Sequence, residues 1–241
     1  VLTASQNWTG KRGVHGFKLQ FLFLVWLSAR VLPFFVSRSN FYGLAFVSAV
    51  DLVFYPILAV YLIPYLKDPE LKIERIFFLY FGIFLFGDLL VHLENLGFIH
   101  GFAQKGIYLG LNTVIVVVVF MGGRVIPFFT EGTIVRAQPK VRQWVEVLSH
   151  TTAWLHLILQ FFINKSWITA VVSFCAAIVH FIRLYGWQVK RVRRIPLIWI
   201  LHTSYLWLVI GFLLSGLTVF GVVSLSNATH AFTIGGLGAI V

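Results

Sequence analysis

Sulfur is nearly absent from this chain and acid is scarce. Among 241 residues there is one cysteine, Cys175, and one methionine, Met121. That excludes a disulfide framework, a Cys-x-x-Cys metal or redox motif and a thioether cluster. Cys175 lies inside an apolar run and reads as a small core residue. Charged residues make up only 11% of the chain, against roughly 25% in a soluble domain. Too little polar surface exists to coat a water-soluble body. Eight acidic residues face nineteen Lys and Arg, a net charge of +11. In a soluble protein that excess would raise the question of nucleic acid. Here the basic residues sit in short loops between apolar runs, without a basic aromatic stripe, so no nucleic-acid partner is expected.

Other signatures are missing too. There is no Walker phosphate loop; Gly235-Gly236-Leu237-Gly238 lies in an apolar run with no preceding strand and reads as a packing feature. No Ser or Cys stands in the strained turn of a hydrolase nucleophile, so whether the chain is an enzyme stays open. No internal repeat points to a transporter built from inverted halves.

What the chain does have is apolar length. Hydrophobic residues make up 59% and mean hydropathy is +0.89. Runs long enough to span occur at Phe17–Val36, Phe41–Leu62, Ile73–Leu93, Gly106–Phe128, Val145–Ile163, Trp167–Trp187 and Leu197–Val219. They are continuously apolar and do not alternate as lipid-facing strands would. In hydrocarbon such runs satisfy their backbone only as helices. An eighth run begins near Ala228 and is still apolar at Val241, too short to cross ~30 Å at ~1.5 Å per residue. The expected fold is therefore an all-α polytopic membrane helical bundle, with seven full spans plus a truncated eighth. Residues 1–241 read as a single integral membrane domain. The initial Val1 and the unfinished last run mark it as an internal piece of a longer protein. Pro33 and Pro56 are expected to kink their spans, and Gly82, Gly110, Gly211 and Gly216 to permit close helix contacts.

The loops set an orientation. Thirteen basic residues fall on one side: Lys11, Arg12, Lys18; Lys67, Lys72, Arg75; Arg136, Lys140, Arg142; and Lys190, Arg191, Arg193, Arg194. The other side holds three, Arg38, Lys105 and Lys165. By the positive-inside rule the thirteen face the cytoplasm.

Three arginines remain inside the spans, Arg30, Arg124 and Arg183, together with Asp51 and Asp88. Each costs at least ~2.5–3.5 kcal/mol at a helix centre unless partnered. Seven of the eight histidines also lie in or at the spans. His150, His202 and His180 stand about 6, 8 and 10 Å above the cytoplasmic ends of three consecutive helices, counted at ~1.5 Å per residue. Three imidazoles at one depth can face one cofactor. A second group lies at the outer rim: His92, His100 and His230. Asp88 and His92, four apart, project from one helix face, so the carboxylate can orient the imidazole. Taken singly, a histidine near a helix end is ordinarily an interfacial hydrogen-bonding residue, and no His-x-x-x-His or Glu-x-x-His spacing specifies a metal.

The string Gly122-Gly123-Arg124-Val125-Ile126-Pro127-Phe128-Phe129-Thr130 resembles the signature of the NnrS family of bacterial membrane proteins. Asn7-Trp8-Thr9-Gly10, the stretch from His202 to Gly211, and His230-Ala231-Phe232-Thr233-Ile234-Gly235 resemble further blocks of that family in the same order. The resemblance implies a haem- and copper-containing protein of the bacterial inner membrane, under nitric-oxide control and linked to nitrosative-stress resistance. With haem implied, the depth match makes His202 the expected axial ligand, assisted by His150 or His180, with Arg124 near a propionate. Snorkelling, or a pair with Glu131, is the structural alternative for Arg124. His92 and His230 form the competing outer-rim site, suited to copper or a second haem. The rival class is a proton-coupled transporter or channel whose intramembrane His, Asp and Arg form a translocation path.

Overall fold

The computed structural model describes residues 12–37, 40–66, 75–134, 138–187, 192–193 and 195–238. Asn7-Trp8-Thr9-Gly10 and several topogenic cations (Lys11, Arg38, Lys67, Lys72, Arg136, Lys190, Arg191 and Arg194) lie outside the described residues. The described chain is helical: α1 (Phe17–Val31), a 3-10 turn (Leu32–Phe35), α2 (Phe41–Leu66), α3 (Ile76–Asn95), α4 (Ala103–Thr133), α5 (Gln143–Ile163), α6 (Trp167–Gly186), α7 (Pro196–Thr218) and α8 (Leu225–His230), which runs into a π-helical turn over Ala231–Leu237. Packing divides it into two compact units, Val1–Gly110 and Leu111–Val241.

Among the described residues six segments are long and apolar enough to cross a membrane: α1 with its 3-10 turn, α2, α3, α4, α6 and α7. The chain is thus a multi-pass membrane protein. α5 has the length, with 21 residues, yet falls outside that set. The reason is its polar residues, Glu146, His150 and Gln160 half-buried and Ser149, Thr152 and His156 buried, while Trp144, Val147, Leu155, Ile158 and Phe162 face outward. Most of this polarity is buried or half-buried, with Thr151 and the terminal Gln143 exposed, so mean hydropathy falls while the outward face stays largely apolar. The eighth run forms only the six-residue α8 and the seven-residue π turn.

In the first unit α1, α2 and α3 bury few of their residues. Pro33 sits in the 3-10 turn that ends α1 rather than kinking a continuing helix, because proline supplies no N–H to extend the helical ladder. Pro56 does lie inside α2. Glu94, at the end of α3, accepts hydrogen bonds from the backbone N–H groups of Phe102 (2.5 Å) and Ala103 (2.7 Å). That carboxylate caps the N-terminus of α4, where free N–H groups favour negative charge. α3 and α4 cross closely at Gly87 and Gly106. A Cβ on Gly87 would stand 2.9 Å from the Gly106 carbonyl oxygen, and one on Gly106 would strike the Gly87 carbonyl. The sequence pointed instead to Gly82 and Gly110. Gly82 faces open space and Gly110 makes only ordinary contact with Phe84.

In the second unit the span windows of α4, α6 and α7 are about half buried. α6 turns Thr169, Ala170, Ser173, Ala176, Ala177 and His180 inward, a stripe of small residues at helical spacing that lets α7 approach. Cys175 falls off that stripe and is exposed on the opposite face, not in the core. Gly211 and Gly216 on α7 receive the rings of Phe232 and Phe174. The π turn is fastened by a hydrogen bond from the Ser204 hydroxyl to the Gly236 carbonyl, with Gly235 against Trp207 and Gly236 against Leu208.

Gly106→Ala must push α3 and α4 apart, because its Cβ meets backbone, which cannot move aside as a side chain can. We expect a loss of about 1–3 kcal/mol, read as a lower thermal midpoint in detergent, whereas Gly82→Ala leaves the midpoint unchanged.

Candidate metal centre

In the first unit the last turn of α1, the middle of α2 and the second half of α3 bring four ionisable groups together. Arg30 lies one residue from the end of α1. Its guanidinium donates to Asp51 Oδ1 on α2. The other carboxylate oxygen of Asp51 stands 3.4 Å from His92 Nε2 on α3, and Asp88 Oδ1, one turn earlier on α3, stands 3.8 Å from the same nitrogen. Asp51 is buried. Asp88 Oδ2 is enclosed and makes no hydrogen bond. Tyr55, one turn beyond Asp51 on α2, lies within electrostatic range of Asp51, Asp88 and Arg30, and its ring stacks on Phe84.

The spacing decides what this group can do. Hydrogen bonds of good geometry close to 2.7–3.2 Å; His92 makes only a long one to Asp51, at 3.4 Å, and stands beyond hydrogen-bond reach of Asp88 at 3.8 Å. Ligand atoms bonded at ~2.0–2.2 Å around a tetrahedral ion stand about 3.4 Å apart. One ligand atom each from Asp51, Asp88 and His92 lie within 4.8 Å of one another. Among the described residues this is the only such group of three or more. An imidazole with two carboxylates is a nitrogen–oxygen donor set, suited to Zn(II), Cu(II), Fe(II) or Ni(II) and ill suited to Cu(I), which favours sulfur. The sequence paired Asp88 with His92 correctly on one helix face. It counted Asp51 among the span residues but did not join it to them, since α2 and α3 meet only through tertiary packing.

The second unit holds a different arrangement. Arg183 on α6, 2% exposed, donates from Nε to Glu146 Oε1 (2.8 Å) and from Nη2 to Glu146 Oε2 on α5. Its Nη1 reaches the Val119 carbonyl on α4 and the Tyr205 hydroxyl on α7, both at 2.8 Å. One guanidinium thus ties four helices. The Tyr205 O–H in turn donates to His180 Nδ1 at 2.6 Å, since the phenol oxygen already accepts from Arg183. Gly123 is where the guanidinium fits: a Cβ there would overlap Arg183, and one on Gly122 would press the Tyr205 ring at 3.3 Å. The Gly122-Gly123 pair therefore admits two flat groups, a guanidinium and a phenol.

The expected cofactor residues divide by access. His180 is fully buried, stacked on Phe212 at 4.9 Å; its Nε2 makes no hydrogen bond of good geometry, although the Ser149 backbone lies beside the ring. His202 is 2% exposed, with Nδ1 at 2.9 Å from the Ile198 carbonyl and Nε2 at 3.3 Å from that of Trp187. It lines a cavity of about 220 Å³ together with Arg193, Thr203 and Trp199. Pockets that enclose drug-sized ligands run to roughly 300–1,000 Å³, so this cavity does not enclose a macrocycle. His150 is half-buried; its Nδ1 is held at 2.7 Å by the Glu146 carbonyl. Phe120 meets His150 edge-on at 5.9 Å, and the exposed Arg124 lies over the same Phe120 ring at 4.5 Å. His150 and Arg124 are thus neighbours through Phe120. His230 is exposed beside a cavity of about 480 Å³ with Trp207, Asn227 and Ile234.

The family model for NnrS protein matches residues 1–241. The chain belongs to the NnrS family. No curated protein and no solved structure matches it significantly. In this NnrS-family chain the arginine of the Gly-Gly-Arg string is exposed, while the arginine those glycines cradle is Arg183, sixty residues away. Sequence reading counted Arg183 among the span cations without giving it a partner. The signal that finds it is charge pairing: Glu146 lies just inside a span, and a carboxylate there calls for a buried cation.

Glu146→Gln leaves Arg183 buried without a counter-charge. We expect a loss of about 3–5 kcal/mol, measured as a large drop in thermal midpoint or as loss of monodisperse protein; an unchanged midpoint would show that Arg183 finds its balance elsewhere.

Proposed function

We propose that this NnrS-family chain is a metal-binding protein of the bacterial inner membrane that acts in the response to nitric oxide, with α5 as its seventh span. The convergence of Asp51, Asp88 and His92 carries the reading: three potential ligands held inside the spans, with one carboxylate oxygen lacking any hydrogen bond. Copper, the metal the family resemblance implies, suits this donor set in its divalent state. His92 supplies the imidazole; Asp51 and Asp88 supply oxygens and the negative charge that attracts the ion.

The implied haem suits the His150–Arg124 face of the second unit. A haem-ligating imidazole is typically fixed by a hydrogen bond from its other nitrogen, as the Glu146 carbonyl fixes His150, and an exposed guanidinium beside it can meet a propionate. A haem bound there would supply iron that takes nitric oxide. The residues' own contribution is to hold the imidazole in one orientation and to neutralise the propionate. His202 and His180 are deeper and would need repacking to serve.

Asp88→Asn and His92→Ala are expected to abolish stoichiometric copper in the purified protein. Cells carrying either variant should also lose protection against a nitric-oxide-releasing compound. Full protection with metal content intact would refute the assignment. A second reading, the proton-coupled carrier, draws on the Arg30–Asp51 pair inside the spans; it calls for ion or proton flux in proteoliposomes from protein that holds no metal.

A further inference from the structure

The charges around Asp51 do not balance, and the imbalance says what the site accepts. Arg30 contributes one positive charge; Asp51 and Asp88 contribute two negative charges when ionised. A divalent ion added to all three leaves one surplus positive charge in a poorly solvated place. The same ion with Arg30 withdrawn is balanced by the two carboxylates. Residual charge inside a membrane is expensive, so a divalent ion and the Arg30–Asp51 contact oppose each other.

The geometry permits the exchange. Arg30 is 52% exposed at its side chain, whereas Asp51 beneath it is 11% exposed. It stands in the last turn of α1, where the 3-10 turn with Pro33 ends the helix. A long side chain at a helix end can swing its head group to the interface while its stem stays against apolar surface. Asp51 has no comparable freedom. It is buried in the body of α2, with Oδ1 toward Arg30 and Oδ2 toward His92.

We propose that Arg30 is the internal counter-ion of the site: it holds Asp51 while no ion is bound and yields that carboxylate to a divalent transition-metal ion. Arg30 thereby sets both the valence and the affinity of the bound ion. The proposal rests on the reading of Asp51, Asp88 and His92 as a metal centre. It adds that the arginine works against occupancy, as a cation already seated on one ligand.

The test is a competition titration of the purified full chain, with Cu(II) alone and then Zn(II) alone against a chromogenic chelator. Arg30→Gln should tighten binding of both ions at least about tenfold, the order by which residues around a metal's ligands change affinity. Arg30→Lys, which keeps the charge, should stay near wild type. Arg30→Met carries the same expectation as Arg30→Gln and replaces it should the amide variant fail to fold. Asp88→Asn should weaken binding in both the wild-type and the Arg30→Gln backgrounds. If Arg30→Gln binds no tighter than wild type while Asp88→Asn still weakens binding, the counter-ion role is overturned and the metal centre stands. If Asp88→Asn and His92→Ala change nothing in either background, the metal centre itself falls.

Discussion

A charged side chain among lipid-facing helices is stable only when its partner comes with it, and each unit here is arranged around one arginine under that constraint. In the second unit the arginine is Arg183. Its guanidinium takes a carboxylate from α5, a carbonyl from α4 and a phenol from α7, so groups 22 to 64 residues away along the chain are held at fixed spacing. An isolated ion pair of this kind contributes little net stability, because desolvation offsets the attraction. What it contributes is definition. Slide any of these helices by one turn and the guanidinium loses a partner in hydrocarbon.

The first unit applies the same constraint loosely. Arg30 is half exposed and, among the described residues, is paired with Asp51, which also faces a histidine. Asp88, one turn below His92, keeps an oxygen without a hydrogen bond. A closed network such as that of Arg183 leaves nothing for a ligand to gain. An open one, with one carboxylate at a long hydrogen-bond distance from the imidazole and the other beyond it, leaves room for an ion. The close crossing of α3 and α4 at Gly87 and Gly106 fixes the backbone beside Asp88, which keeps one side of that opening rigid.

Much of this was legible in the residues. Apolar length gave the membrane helices, and the four-residue step from Asp88 to His92 gave one face of the site. The Gly122-Gly123 pair stands out in the sequence only as part of the family-like string; the groups it admits, the Arg183 guanidinium and the Tyr205 ring, come from the fold. Other features were not legible because they depend on rotation about helix axes. Depth along the helix placed His150, His180 and His202 together, yet depth carries no azimuth: His180 and His202 turn into the core and His150 only partly does. Cys175 was placed in the core by the apolarity of its run, and in a membrane that apolarity marks the lipid face equally well. α5 shows the converse, since its inward polarity hides a helix of spanning length from hydropathy.

The central claim is that the first unit binds a metal ion through one imidazole and two carboxylates. X-ray absorption at the metal edge of the purified, copper-loaded chain tests it most directly. The account predicts a first shell of nitrogen and oxygen at about 2.0–2.2 Å with the scattering pattern of a single imidazole and no sulfur, lost when Asp51 and Asp88 are both replaced by Asn. A shell containing sulfur, or one that persists unchanged in that double variant, would contradict it.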